Sequence, residues 1–439
     1  MESGDYAAAY AIAQEGTEDK GVDGPFWQNE AGALALLTGQ TPQAVAHLEA
    51  ADNGYNDVAR RLYGASAADT AKAVLYNDTA MPYAPESPDR VFIQLYKAFA
   101  YGALGKTSAM RVELNRARQR QNDWFYRCSK EIAAQADDAD KARAQAAENA
   151  ARTALKDRPA PKTLDADTMR AVANSTAAAK TFASLRGFGN AYAAHVAGVF
   201  RWCMGDNSLN DLTMAAALAP DNAYAQADAV SERQGAKPEN RVWLYVEDGL
   251  APRRVPNPIT IPYPSLAGHG QGIGTLSFNL PKLVPRNPAA AGYSVNGTAL
   301  QELADVDALA QDAFDRAYPG MLARQIARTM SRVAAQEGGH AALRHSDGGA
   351  LIALLFDVGM IVYDVATNEA DLRCADLLPK RVWMAALPRP ADGMLRLAPT
   401  GGQASIAILL PAQGNTLVRV RRPTATGPYS VHIVPLNAN

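Results

Sequence analysis

Apolar residues recur along the first third of the chain at helical spacing, and they keep fixed distances from a set of glycines. Ala9, Ala13 and Gly16 stand five, nine and twelve residues after Gly4. Ala44, Leu48 and Ala51 hold the same offsets from Gly39, and Met110, Leu114 and Ala117 hold them from Gly105. Gly32 and Ala98 precede the second and third of these glycines by seven residues, where two helices of a hairpin must approach closely. A fourth copy has Gly198, Gly205 and then Leu212, Ala216 and Ala219 after a two-residue slip. Gly4 and Gly39 are 35 residues apart, and Gly39 and Gly105 are 66 apart. These are one and two periods of about 34 residues, the tetratricopeptide spacing. The pattern predicts stacked helical hairpins, with Leu48, Leu114 and Tyr101 filling the grooves between neighbours. The proline that closes such a repeat is missing after Ala51 and Ala117, so the repeats are degenerate.

The helical pattern fails between Tyr76 and Asp89, where Asn77, Asp78, Pro82, Pro85 and Pro88 predict a long loop and, at that length, a contact surface. Ser129 to Lys156 is rich in Ala and charge and lacks Gly and Pro, which predicts one long polar helix. Arg158 to Pro161 breaks it, and Asp165 to Leu185 leads into the fourth hairpin, Asn190 to Pro220. After about Gly235 alternation replaces the helical period. Val242 to Val246 predicts a strand closed by Glu247-Asp248-Gly249, with further strands at Ile259 to Tyr263, Gly274 to Phe278 and Gly292 to Val295. Leu303 to Tyr318 and Met321 to Gln336 predict two amphipathic helices divided by Pro319-Gly320, and helical pattern resumes over Ala350 to Asn368. Arg381 to Ala386, Met394 to Leu397, Ser405 to Leu410, Leu417 to Arg421 and Tyr429 to Val434 predict a small antiparallel sheet or sandwich. The expected fold class is α+β. Residues 1–128 form tetratricopeptide-like repeats, 129–232 a polar helix plus a fourth hairpin, and 233–439 an α/β domain ending in antiparallel strands.

Composition narrows the function classes. At 439 residues, 48% hydrophobic and 20% charged, the chain reads as a multidomain globular protein. Its 43 basic and 45 acidic residues leave a charge of −2, without the electrostatic footprint of a nucleic-acid binder. The local cluster Arg111, Arg116, Arg118 and Arg120 reads as a solvated helix face. Ala350 to Val365, the longest apolar stretch, is broken by Asp357 and Asp364, so no membrane span is predicted. Met1 leads into Glu2, Ser3, Gly4 and Asp5 with no signal-peptide pattern. Cys128, Cys203 and Cys374 are isolated, which excludes a zinc ribbon and a thioredoxin-type site. Their apolar neighbours predict buried, inert thiols, and one disulfide stays open in an oxidising compartment.

The chemical constellations are weak. Gly268 to Gly274 lacks the lysine and hydroxyl of a phosphate-binding loop and reads as a flexible hairpin. His340 and His345 have loop spacing rather than that of helical metal ligands. Glu247 and Asp248 offer a carboxylate pair for acid/base work, but consecutive strand residues point to opposite faces. No Gly-x-Ser-x-Gly elbow is present. Trp124, Phe125 and Tyr126 read as core or cap packing, and Arg324, Arg328 and Arg332 as a solvated stripe.

Phe92 to Arg120 (with Tyr96, Gly105, Val112, Glu113 and Arg116), Val242 to Pro252, Leu303 to Arg328, and Ala370 to Arg381 with Leu378-Pro379 together resemble a family of uncharacterised Gram-negative outer-membrane lipoproteins. The resemblance implies tetratricopeptide-like helices first and an α/β region afterwards, at the periplasmic side of the outer membrane. Membrane association would then run only through a lipid anchor not present in this chain. The leading expectation is a non-enzymatic scaffold or adaptor of the bacterial cell envelope, holding a protein partner or a second copy of itself. Tyr6, Asn77, Tyr83, Tyr96, Tyr101 and Arg111 are the expected partner contacts, as aromatic anchors with polar register contacts. No catalytic residue, cofactor or metal is expected. The alternatives are an envelope enzyme acting on a cell-wall or small-molecule substrate through Glu247 and Asp248, and a ring or filament subunit joined by edge strands of the tail.

Overall fold

The computed structural model describes residues 3–18, 21–64, 82, 83, 85, 87–126, 189–265, 272–336, 370–375, 377–402 and 404–436. Asn77, Cys128, the predicted helices at 129–156, 165–185 and 350–368, the loop 268–271, and His340 with His345 lie outside these residues.

The glycine pattern marks the turns between helices. Helix α1 (Tyr6–Thr17) is followed by α2 (Gly24–Leu37), Gly39, and α3 (Thr41–Gly64). Helix α4 (Ser87–Ala103) reaches α5, over 107–126, through Gly105. Helix α6 (Ala191–Met204) turns at Gly205 into α7 (Leu209–Leu218), and α8 (Ala223–Arg233) follows. Gly39, Gly105 and Gly205 have φ of 76°, 72° and 73°, a left-handed conformation open to glycine without a Cβ penalty. Each turn closes with the same backbone bond, from Gln40 N to Ala35 O at 2.8 Å, Lys106 N to Tyr101 O at 2.8 Å, and Asp206 N to Arg201 O at 2.9 Å. The upstream glycines act by size. A Cβ on Gly32 would stand 2.6 Å from Leu48 Cγ, and one on Gly198 would stand 2.7 Å from Leu212 Cδ2. Gly4 differs from the other copies, since it precedes α1 and lies against Gly427.

Strand β1 (Arg241–Asp248) is the centre of the second half. Its residues from Val242 to Asp248 are all buried, because both faces of the strand are covered. The long hairpin β2 (Arg253–Ser265) and β3 (Gly272–Val284) forms a separate two-stranded ribbon. Next come β4 (Tyr293–Val295), β5 (Thr298–Ala299), β6 (Gln301–Asp305) and helix α9 (Val306–Gln336). The tail supplies β7 (Arg381–Pro388), β8 (Met394–Pro399), β9 (Ile406–Leu409), β10 (Asn415–Arg422) and β11 (Ser430–Leu436). A five-stranded sheet runs β11-β10-β1-β7-β6, and a four-stranded sheet runs β5-β4-β8-β9. β1 and β10 pair in parallel, with Trp243 opposite Leu417 and Glu247 opposite Arg421. The other strand pairs are antiparallel.

The chain is therefore α+β, in three layers. Trp243 and Tyr245 of β1, with Leu417, Met384 and Val434, pack under the helices against Phe92, Phe99, Tyr192 and Val199. Val242, Leu244 and Val246 face the other way and pack with Val418 on Leu395, Leu397 and Tyr293 of the four-stranded sheet. A strand covered on both faces reads as an unbroken apolar run, which is why Val242 to Val246 does not alternate.

Two expectations are corrected. The tail strands, expected as a small antiparallel sheet or sandwich, form no sheet of their own but divide between two stacked sheets. β7, β10 and β11 join the sheet built on β1, whereas β8 and β9 join β4 and β5. The helix expected from Leu303 starts at Val306, because 301–305 pairs with β7 and Asp305 caps the helix by accepting from Ala308 N at 3.1 Å. It then runs on through Pro319-Gly320 to Gln336. No described helix is long and apolar enough to cross a membrane.

The close approach of α6 and α7 is testable. Gly198→Ala forces the new methyl into Leu212, whose backbone N would also lie 3.1 Å away. The expected loss is about 1–3 kcal/mol of stability, read as a lower urea midpoint.

Candidate functional site

The helices meet the sheet through two sealed polar clusters, both reached by one face of α6. Tyr192 and His195 are three residues apart on that helix, and Trp243, Tyr245 and Glu247 alternate along one face of β1.

In the first cluster Arg419 of β10 holds Glu247 with two hydrogen bonds of 2.7 Å, from Nε to Oε1 and from Nη2 to Oε2. Tyr192 donates to Oε1 at 2.9 Å and Tyr96 of α4 to Oε2 at 3.4 Å. The guanidinium lies 4.6 Å from the centre of the Tyr96 ring, and its Nη1 is 3.3 Å from Nδ1 of His432 on β11. Glu247 is 0% and Arg419 2% exposed. Burial raises the Tyr96 phenol, and the neighbouring Glu247 charge raises it further, so it stays a proton donor. Burial alone would weaken the Arg419 cation, but the charge and hydrogen bonds of Glu247 override it and lift its pKa.

The second cluster lies one turn further along the same helix. Tyr245 Oη lies 2.8 Å from His195 Nδ1, and His195 Nε2 lies 3.3 Å from Asp228 Oδ2 on α8. Burial and the Asp228 charge raise the Tyr245 phenol, which keeps its proton. Trp243 Nε1 donates to the same Asp228 oxygen at 2.7 Å. His195, Asp228, Trp243 and Tyr245 are all 0% exposed. The acid/base groups of both clusters are closed to any substrate and join helix to sheet.

An open cleft of about 650 Å³ lies where the α7–α8 turn faces β6 and the start of α9. Asp221, Glu302, Asp305, Asp307 and Asp312 line it, together with Leu218, Pro252, Pro285 and Leu309. Lys380 pairs with Asp307, Arg381 lies 3.5 Å from Glu302, and Arg316 lies 3.0 Å from Asp312. Burial raises the pKa of Glu302 and of Asp307, with the nearby Asp305 charge adding to each. Among the described residues no group of three or more His, Cys, Asp or Glu is gathered to hold a metal ion. The cleft offers negative charge and apolar walls, which suits an extended cationic segment.

The expected contact residues are placed differently. Tyr6, Tyr83 and Tyr96 are 3%, 5% and 3% exposed, which takes them out of any contact surface. Their hydroxyls meet Thr424 at 3.2 Å, Asp89 at 2.8 Å and Glu247 at 3.4 Å. Tyr101 and Arg111 are half-buried, with Tyr101 donating to Glu49 and Arg111 to Asp206. Burial and Glu49 push the Tyr101 phenol up to about 12. Glu247 and Asp248 sit on opposite faces of β1, both at 0% exposure. Asp248 accepts from Tyr293 Oη at 2.6 Å beneath the four-stranded sheet, and burial raises its pKa. Of the arginines read as a solvated face, Arg116 and Arg118 do stay about half exposed, at 49% and 46% of their side chains. Arg116 also lies 2.8 Å from Glu113, and Arg120 is drawn towards α3, 3.5 Å from Asp52 and 2.7 Å from Asn56. Cys203 is a buried thiol whose pKa burial raises, and Cys374 is half-buried. Arg419, Arg421 and His432 escaped sequence reasoning, since a strand written Arg-Val-Arg reads as half solvated. The available signal was a carboxylate pair ending an unbroken apolar strand, which requires buried cations nearby.

Glu247→Gln leaves Arg419 buried without a counter-charge, and about 3–5 kcal/mol of stability should be lost in urea unfolding. His432 is held neutral down to about 3, by burial and by the Arg419 charge, against an ordinary value of 6.5. The unfolded chain takes up that proton first, so stability falls as pH drops from 6.5 towards 3. His432→Gln keeps an acceptor for Arg419 without the titration, and its acid unfolding midpoint should move to lower pH than that of the unsubstituted protein. No family model, curated protein or solved structure matches this chain.

Proposed function

We propose that this chain is a non-enzymatic protein-binding scaffold or adaptor of the bacterial cell envelope. In this reading tetratricopeptide-like hairpins and the sheet half form one platform, and the cleft between them takes a basic segment of a partner protein. The observation that carries the reading is the contrast between sealed and open polar groups. Glu247, Asp248, His195 and Asp228, the groups suited to proton transfer, are each 0% exposed. The cleft with leucine and proline walls instead holds the exposed Asp221 and four partly buried carboxylates, three of them paired with Lys380, Arg381 and Arg316. That combination favours recognition of a lysine- or arginine-bearing chain by charge and apolar contact. The envelope address rests on the resemblance of Phe92 to Arg120, Val242 to Pro252, Leu303 to Arg328 and Ala370 to Arg381 to outer-membrane lipoproteins.

The test is a pull-down from native membrane extract with the protein and with an Asp221→Lys, Ala308→Lys variant. Both positions line the cleft and both are exposed, so two cations enter it without disturbing the core. A partner recovered by the unsubstituted protein and lost by the variant is the expected result. Equal recovery by both would sink the cleft as the binding site. The raised pKa values of Glu302 and Asp307 add a pH signature. Binding of the partner should weaken on acidification, beginning above the ordinary carboxylate range, because the cleft loses negative charge as those groups protonate.

A further inference from the structure

A second concavity, of about 290 Å³, opens between the α4–α5 and α6–α7 hairpins. Arg111, Arg118 and Arg201 line it with Asn115, Asn207, Asn210 and one carboxylate, Asp206. Three guanidinium groups share two carboxylates there. Arg111 pairs with Asp206, and Arg201 pairs with Asp211 while donating to Asn115 Oδ1 at 2.6 Å. Arg118 reaches Asp211 only at 3.8 Å, beyond hydrogen-bond length, and its side chain is 46% exposed. Among the described residues one unit of positive charge is left over. Its effect registers at Arg201, whose pKa falls to about 10 through burial first and the Arg118 and Arg111 charges next.

The pocket wall also carries the start of α7. Ser208, the N-cap of that helix, gives its hydroxyl to Glu232 and caps no amide. An uncapped helix N-terminus is a locus of partial positive charge with unbonded N–H groups. Three guanidinium groups and a helix start therefore converge, from α5, α6 and α7, on one small space.

We propose that this pocket binds a tetrahedral oxyanion of the phosphate class, either free or as the terminal phosphomonoester of a larger molecule. Arg118, held only by its long ion pair with Asp211, supplies the guanidinium that can turn to the anion, Arg111 and Arg201 flank it, and the side-chain amides of Asn207 and Asn210 with Asp206 complete the lining. A carboxylate has two coplanar oxygens, whereas donors converging from three helices need acceptors in three directions. The dianion also offsets both the surplus charge and the helix terminus. The volume lies below the range of about 300–1,000 Å³ typical of pockets for drug-sized ligands, which fits an anion-sized group. The site is independent of the acidic cleft and of its partner.

Isothermal titration of the whole protein with inorganic phosphate at low ionic strength should show saturable binding to one site, with a matching rise in melting temperature. Arg118→Gln should weaken that binding by about ten-fold, the loss of one charged hydrogen bond. Its melting temperature without phosphate should change little, since among the described residues Arg118 makes only a long, half-exposed ion pair with Asp211. Glycerol 3-phosphate run in parallel separates the sources. Tighter binding of the ester identifies a phosphorylated molecule as ligand, and equal or weaker binding identifies the free anion. Absence of saturable binding for both would overturn the proposal. So would unchanged binding by Arg118→Gln, or displacement by an equal concentration of chloride.

Discussion

The architecture depends on a carboxylate and a guanidinium buried together, 172 residues apart in the chain. Glu247 ends the central strand and Arg419 stands on its parallel neighbour, both on the face that meets the helices. Removing two charges from water costs several kcal/mol per ion, and the pair recovers this only with near-ideal geometry and full hydrogen bonding. Here Arg419 binds both carboxylate oxygens, and Tyr96 and Tyr192 donate to them from two different helices. The cluster therefore constrains how α4 and α6 sit on the sheet. A shift of either helix by one turn would leave buried oxygens without donors, a penalty that apolar packing does not impose.

The second cluster adds a further coordinate. His195 lies one helical turn beyond Tyr192 and meets Tyr245, two residues before Glu247 on the strand. Two contact points along one helix and one strand fix position and rotation together. Apolar packing of Phe99, Tyr192 and Trp243 supplies the burial, and the polar contacts select its register. Residues that would look catalytic in isolation are thus used to hold a platform rigid. Side chains committed in this way cannot be offered to a ligand, whereas the carboxylate cleft and the arginine pocket are open among the described residues.

Much of the helical half is legible in the sequence because its determinants are local. A helix that turns back sharply needs a left-handed residue, and Gly39, Gly105 and Gly205 supply it at positive φ. Gly32 and Gly198 announce close helix contact because only a missing side chain permits it. Strand β1 is legible through its apolar run, and most tail strands through alternation. The sites are less legible. Tyr6, Tyr83 and Tyr96 read as anchors for a partner because an aromatic at a helix surface looks alike whether another protein or its own sheet covers it. The ion pairs of Arg111 and Arg118 with α6–α7 join segments 95 and 93 residues apart, and local pattern holds no trace of such pairing.

What the sequence determined on its own is the set of elements: helical hairpins with glycine turns, a central strand too apolar to face water, and a strand-rich tail. Spacing, turn chemistry and side-chain size act over a few residues, so the chain carries them in plain order. Tertiary structure alone decided which strands share a sheet, that β10 lies parallel to β1, and that Glu247 and Asp248 face opposite layers. It also decided which charges are sealed and which remain open. Those outcomes depend on competition among distant segments for the same buried surface, and that contest is settled only when both faces of β1 are covered.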